Sequence, residues 1–281
     1  MPVTEKAYAK INWALDITDT RPDGYHEMDM LMQKIALHDD LTFIPSKRVE
    51  LWINGTRVLN SEKNLTVRAA SALNECLNQN NGVKICLTKR IPVRAGLGGG
   101  SADCAVTLAT LNRLWKLRLT DEMLLQIGAS LGADVPFFLN GVFSRVRGIG
   151  DRIELLGGAP VIPLVLYHVH PGLSTQTVFQ TWDEIKPGGL GLDIPALREA
   201  LIKKDLPLME GIGGNTLETA AIRLLPGIRS AMDRLKALGA STVRMSGSGS
   251  CVFGAFDDMA SARRAHEAMK DSILTQTIGQ T

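Results

Sequence analysis

Apolar and polar positions alternate from residue 7 to residue 17. Ala7, Ala9, Ile11, Trp13, Leu15 and Ile17 fall on one side, and Lys10, Asn12 and Asp16 fall on the other. This period of two predicts a half-buried strand, with Lys10 and Asn12 projecting from the same open face. The Arg21-Pro-Asp-Gly run that follows has proline and glycine placed for a tight turn. Further strands are expected over residues 41–44 and 49–53, the latter ending at the Asn54-Gly55 turn.

The period then lengthens. Residues 64–78 read as a helix, with Leu65, Ala69, Ala72, Leu73, Cys76 and Leu77 along one stripe. Residues 83–87 alternate as another strand, and a glycine-rich run leads into a helix from about 101 to 115. There Cys104, Leu108, Leu111 and Trp115 recur at spacings of four, three and four, which is one helical face. Thr120 is placed to cap a third helix, whose positive end suits Asp121 and Glu122, and Gly132 is placed to close it. Past a seam at Gly157-Gly-Ala-Pro160, a strand is expected near 164–169. Helices are expected near 193–203, 216–225 and 230–238, and a strand pair at 242–245 and 251–256. Strands and helices mix without strict βαβ alternation, so the expected class is α+β, divided into domains 1–157 and 158–281.

Composition narrows the function only by exclusion. The 281 residues are 45% apolar and 21% charged, as in an ordinary globular protein. A net charge of +2 is too small to argue for nucleic acid or a membrane as partner. The N-terminal residues show no apolar signal region, and the most apolar stretch, 159–169, is about half a membrane span. Cys76, Cys86, Cys104 and Cys251 are scattered without a Cys-x-x-Cys pair, which fits reduced thiols better than a disulfide framework or zinc site. A cytoplasmic enzyme acting on a small molecule fits these features.

The candidate chemistry lies in residues 92–103, Pro92, Val93, Arg94, Ala95, Gly96, Leu97, Gly98, Gly99, Gly100, Ser101, Ala102 and Asp103. Glycines let backbone amides crowd a ligand, and a following helix adds free N–H groups and a positive dipole end, which suits phosphate. Ser101 would either cap that helix or turn its hydroxyl to a phosphate. A flexible linker is the plainer alternative, but linkers do not run straight from a strand into an amphipathic helix. No lysine follows as in a Walker loop, and the run lies too far into the chain for a dinucleotide fold.

This run resembles the phosphate loop of the GHMP kinases, whose pattern is Pro-x-x-x-Gly-Leu-Gly-Ser/Gly-Ser/Gly-Ser. Ala9-Lys-Ile-Asn12 resembles that family's first motif and Ser246-Gly-Ser-Gly-Ser250 its third, in the same order. Arg21-Pro-Asp-Gly-Tyr-His26, Lys89-Arg-Ile-Pro-Val and Leu131-Gly-Ala-Asp-Val-Pro-Phe137 are similar to the branch that acts on a cytidine diphosphate-linked methylerythritol. The resemblance implies a two-domain kinase with its active site in the cleft between domains. It further implies ATP as phosphoryl donor, usually with Mg²⁺, and the tertiary 2-hydroxyl of CDP-methylerythritol as acceptor, on the non-mevalonate route to isoprenoid precursors. Monomer and homodimer both remain open.

Residue roles follow from the same resemblance. From its context alone, Asp134 is either a general base or a structural carboxylate near a turn; the family motif places its catalytic Asp here. Lys10 would neutralise charge at the transferring phosphoryl group or hold Asp134 ionised, and Asn12 would orient substrate hydroxyls. Tyr25 would stack on cytosine while His26 reads the base edge. Thr177 and Phe179 would add substrate contacts. Asn64 and Lys89 match positions near adenine and ribose, against plainer readings as a helix cap and a surface charge. Residues 246–250 would brace the phosphate loop, touch substrate phosphate, or simply turn a hairpin. Arg94, Cys104 and Thr216 depart from the usual pattern. His168 and His170 share a strand face, but without a third ligand nearby they read as ordinary histidines. The alternatives are a GHMP kinase for a smaller alcohol, of mevalonate or homoserine type, and a non-catalytic nucleotide-binding regulator. Tyr25-His26 argues against the first, and the presence of both Lys10 and Asp134 against the second, since a pure binder needs no base.

Overall fold

Two long strands open the chain, β1 (Val3–Thr20) and β2 (His26–Pro45), and they pair with each other. The structure, a computed structural model, describes residues 1–59 and 61–279. It groups into two compact units that do not follow chain order. The first comprises Met1–Ala9, Leu37–Ile91 and Gly98–Gly141; the second comprises Lys10–Ala36, Pro92–Leu97 and the chain from Val142 onward.

In the first unit, β3 (Val49–Ile53), β4 (Thr56–Arg57) and β5 (Val83–Thr88) join the later half of β2 in the order β4-β3-β5-β2. The β3–β5 pair is parallel and the β2–β5 pair antiparallel, with Leu41 opposite Leu87 and Phe43 opposite Ile85. Four helices complete the unit: α1 (Leu65–Cys76), α2 (Gly99–Leu114), α3 (Asp121–Leu131) and α4 (Val135–Asn140). Its core gathers Leu41, Phe43, Leu51, Leu73, Ile85, Leu108, Leu111 and Phe137, all essentially without exposure. Removing each such side chain from water stabilises the fold by about 1.5–3 kcal/mol.

The helix caps follow local sequence. Asn64 accepts the Thr66 N–H at the start of α1 and Thr120 the Met123 N–H at the start of α3, while Gly132 ends α3. The start of α2 differs from expectation: it begins at Gly99, with Gly98 as a left-handed N-cap (φ 70°) and no side-chain cap. Ser101 therefore lies inside the first turn and caps nothing.

The second unit pairs the early half of β2 with β6 (Phe143–Gly148), and β6 with β7 (Arg152–Leu155). β8 (Pro163–His168) belongs to a separate antiparallel sheet, followed by helices α5 (Thr175–Ile185), α6 (Ile194–Ile202), α7 (Leu206–Ile212), α8 (Glu218–Leu224) and α9 (Gly227–Ala237). β9 (Thr242–Met245), β10 (Cys251–Ala255), α10 (Met259–Ala268) and β11 (Ile273–Gln276) complete it, with sheet order β11-β8-β10-β9. Trp13 sits edge-on to Phe253 with ring centroids 5.5 Å apart, and its indole N–H donates to Gln33 Oε1 at 2.8 Å. The class is α+β, as expected.

One expectation is corrected here. Lys10, Asn12 and Asp16 do not lie on an open strand face; they are 4%, 1% and 2% exposed. Period two marks which face is apolar, but a polar face can also be covered when its groups find partners. Lys10 Nζ donates to Asn12 Oδ1 at 2.6 Å. The Asp16 carboxylate accepts the N–H groups of Leu190, Gly191 and Leu192 and the Thr216 hydroxyl.

Candidate active site

The glycine-rich run forms a loop shaped by backbone sign. Arg94, Gly96 and Gly98 have φ of 57°, 73° and 70°, so the chain turns left-handed at every second residue. Ala95, Leu97 and Ala102 bury their side chains and pin the loop down, while Val93 and Arg94 are exposed. The N–H of Ala102 makes a helical bond of α2, to Gly98 O at 2.9 Å. The amides of Gly99, Gly100 and Ser101 precede it, at the positive end of the helix dipole. That arrangement suits an anion.

The glycines serve different purposes. A Cβ on Gly96 would stand 1.9 Å from the Ser246 carbonyl oxygen, so this glycine permits contact with protein backbone. A Cβ on Gly100 would meet nothing closer than Leu65 Cδ1 at 3.7 Å, which leaves its exposed side open to a ligand.

Residues 246–250 brace the loop from within the second unit. Ser246 Oγ donates to Gly96 O at 3.0 Å, and the Cys251 N–H donates to Ala95 O at 3.1 Å. The Lys10 N–H donates to Leu97 O at 3.0 Å, tying β1 to the same loop. A Cβ on Gly247 would lie 3.2 Å from Lys10 Nζ, so the lysine ammonium sits against this second glycine turn. Asn215 Nδ2 fixes that turn by donating to Met245 O and Gly247 O.

The second unit also builds an aromatic box around His26. The imidazole Nε2 lies 2.7 Å from Asp183 Oδ1, Phe179 stacks on the ring at 4.9 Å, and Trp182 meets it edge-on at 5.3 Å. Phe179, Trp182 and Asp183 are spaced i, i+3 and i+4 on α5, which puts all three on one helical face. Thr177 is on the same helix and exposed. Tyr25 follows the Arg21–Gly24 turn, where the Gly24 N–H donates to Arg21 O, and the residue is 60% exposed. Trp182 and Asp183 were not singled out from the sequence. His168 and His170 have ring centroids 4.4 Å apart, and burial followed by the neighbouring His170 holds the His168 pKa below its ordinary value.

In the first unit Asn64 and Lys89 both lie near the start of α2. Asn64 caps α1, whose first residue Leu65 faces Gly100, and Lys89 Nζ stands 2.9 Å from where a Gly99 Cβ would be. Lys89 is not a loose surface charge: its ammonium donates to Asp39 Oδ2 at 2.5 Å and to Asp103 Oδ2 at 2.9 Å. Asp134 is half-buried at the head of α4, just before Pro136, and its side chain makes no cap bond to that helix.

Sequence comparison places these features in a family. The profile described as GHMP kinases N terminal domain matches residues 64–142, and that described as GHMP kinases C terminal matches residues 194–273. The chain belongs to the GHMP kinase family. A curated relative from Pelotomaculum thermopropionicum, named 4-diphosphocytidyl-2-C-methyl-D-erythritol kinase, is 39% identical over 94% of this chain and 92% of its own. One of the same name from Bacillus subtilis is 37% identical over 96% of this chain and 93% of its own. This GHMP kinase also matches the crystal structure of a 4-(cytidine 5'-diphospho)-2C-methyl-D-erythritol kinase with a TM-score of 0.84. Identity to it is 35%, covering 99% of this chain and 100% of that one. A mevalonate kinase structure matches at a TM-score of 0.72 with 14% identity, which speaks for the fold alone. As a member of this family the protein is an ATP-dependent kinase.

Proposed function

We propose that this kinase transfers the γ-phosphoryl group of ATP to the tertiary 2-hydroxyl of 4-diphosphocytidyl-2-C-methyl-D-erythritol, releasing ADP, on the way to isoprenoid precursors. The observation that carries this reading is the shared name of relatives that match over nine-tenths of both chains. The exposed Tyr25 and the aromatic box around His26 support it, because a substrate without a base offers an exposed aromatic ring nothing to stack on.

In this reading residues 92–102 hold the ATP phosphates on backbone amides, and Asn64 and Lys89 flank the nucleoside. Asp134 takes the proton from the attacking hydroxyl. Lys10 places positive charge by the transferring phosphoryl group, and Asn12 orients the acceptor. Tyr25, His26, Thr177 and Phe179 contact the cytidine end. Mg²⁺ would arrive on the nucleotide phosphates and neutralise charge there, as is common where substrate supplies most ligands; we assign no residue to it. None of the helices among the described residues is long and apolar enough to cross a membrane, and we place the reaction in the cytoplasm.

The test is direct. Purified protein with ATP and Mg²⁺ is expected to phosphorylate the cytidyl substrate with stoichiometric release of ADP. Good turnover of mevalonate or homoserine, alongside none of the cytidyl substrate, would refute the assignment.

A further inference from the structure

Beneath the start of α2, the first unit gathers three charged side chains: the buried Asp39 on β2 and Asp103 on α2, and the half-buried Lys89 just after β5. Lys89 donates to one oxygen of each carboxylate. The second oxygen of Asp39 accepts the N–H groups of Arg90 at 2.5 Å and Ile91 at 2.8 Å. The second oxygen of Asp103 is enclosed and has no hydrogen-bond partner among the described residues.

The charge count does not close. Two carboxylates against one ammonium leave one buried negative charge, and burying an uncompensated charge is costly. Arg90 also attracts the Asp39 carboxylate, but its guanidinium is exposed and pairs with Asp40 at 2.6 Å; His38 lies 3.5 Å from Asp40, and Arg68 on α1 acts on Cys104. The charges bearing on Asp103 are those of Lys89 and Asp39. A proton on Asp103 would close the count.

We propose that Asp39, Lys89 and Asp103 form a one-proton strut beneath the phosphate-binding turn, with Asp103 protonated in the state that binds nucleotide. The proposal rests on the ATP reading of the loop and adds how that loop is regulated. With Asp103 neutral the cluster carries no net charge. With Asp103 ionised, a buried negative charge sits behind the helix end that must receive phosphate anions, and it opposes them. Burial pushes the Asp103 carboxyl up to about 7 despite Lys89, so the proton leaves in a physiological range. Burial also works against the Lys89 ammonium, but the Asp103 and Asp39 carboxylates outweigh it and hold its pKa above the ordinary value. Above pH 7, binding then draws one proton from solvent onto Asp103. Asp103 and Lys89 act here as positioning residues.

Calorimetric titration of the full chain with Mg·ATP alone, from pH 6 to pH 9, tests this. The Kd is expected to rise about a hundredfold across that range, as follows when only the protonated form binds and its carboxyl titrates near 7. Buffers of different ionisation enthalpy should show uptake approaching one proton at pH 8. Asp103→Asn, which keeps a neutral donor, is expected to bind with a flat pH profile and no proton uptake. A flat wild-type profile, or an unchanged slope in Asp103→Asn, would overturn the strut. Should that variant fail to fold, ¹³C-carboxyl NMR of the wild type decides: an aspartate titrating between pH 6 and 8 supports the proposal, and all titrating below pH 5 overturns it. No acceptor alcohol is present, so a wrong substrate assignment leaves these outcomes intact. Absence of Mg·ATP binding at every pH would instead remove the ATP reading, and the strut with it.

Discussion

We assign the chemistry of the proposed reaction to Asp134 and Lys10, and the two differ in how far local sequence describes them. Asp134 was readable as either a base or a structural carboxylate, and its side chain makes no cap bond at the head of α4. Because Asp134 is the proposed base, Asp134→Asn is expected to lower kcat by about two to four orders of magnitude, the usual scale for loss of a general base. Mg·ATP affinity should change little. Near-normal turnover, measured by ADP release, would leave Asp134 a positioning role. Lys10 read as a residue on an open strand face because alternation reports only which side is apolar. Its actual burial depends on Asn12, on Leu97 and on the glycine turn at Gly247, and that turn lies far along the chain. Asp16 was illegible for the same reason: its backbone partners lie 174 to 176 residues away.

At the scale of elements, some capped helices were legible, while α7 and α10, capped by Asp205 and Asp258, were not expected. α1, α3 and α6 start at Asn64, Thr120 and Asp193, each accepting a backbone N–H as a cap should. The helix α5 went unseen because its buried positions are Val178, Thr181 and Trp182, two of them β-branched and one polar. With α5 unseen, Trp182 and Asp183 could not be joined to His26, so half of the aromatic box was missing. The start of α2 was misplaced by two residues because Gly98, rather than a serine, makes the left-handed entry. Gly98→Val puts a β-branched side chain at φ 70°, where L-residues are disfavoured by roughly 1–2 kcal/mol. It is expected to weaken Mg·ATP binding while the far-ultraviolet dichroism stays near wild type. Unchanged affinity in calorimetry would mean that the loop is misassigned.

At the scale of the molecule, β1 and β2 each run through both compact units, so no single chain position separates those units. Within the second unit, Asp16 ties β1 to residues 190–192 and to Thr216 through four hydrogen bonds to its carboxylate. Asp16→Ala leaves those N–H groups without their acceptor, at about 1–3 kcal/mol for each group left unsatisfied. Urea unfolding of the full chain should show a loss of roughly 3 kcal/mol or more. A loss below about 1 kcal/mol would mean that water replaces the carboxylate. The sequence by itself determined the α+β class, most strands, the helices α1, α3 and α6, and the family, and it located the glycine-rich run that we propose holds phosphate. Each of these depends on residues close in the chain or on motifs in fixed order. Only the tertiary structure decided that Lys10, Asn12 and Asp16 are buried and that Asp183 holds His26. It alone showed that Gly96 yields space to Ser246 rather than to a ligand, and that Lys89 is clamped by two carboxylates. Those outcomes come from groups far apart in sequence competing for the same partners, and no local pattern records that competition.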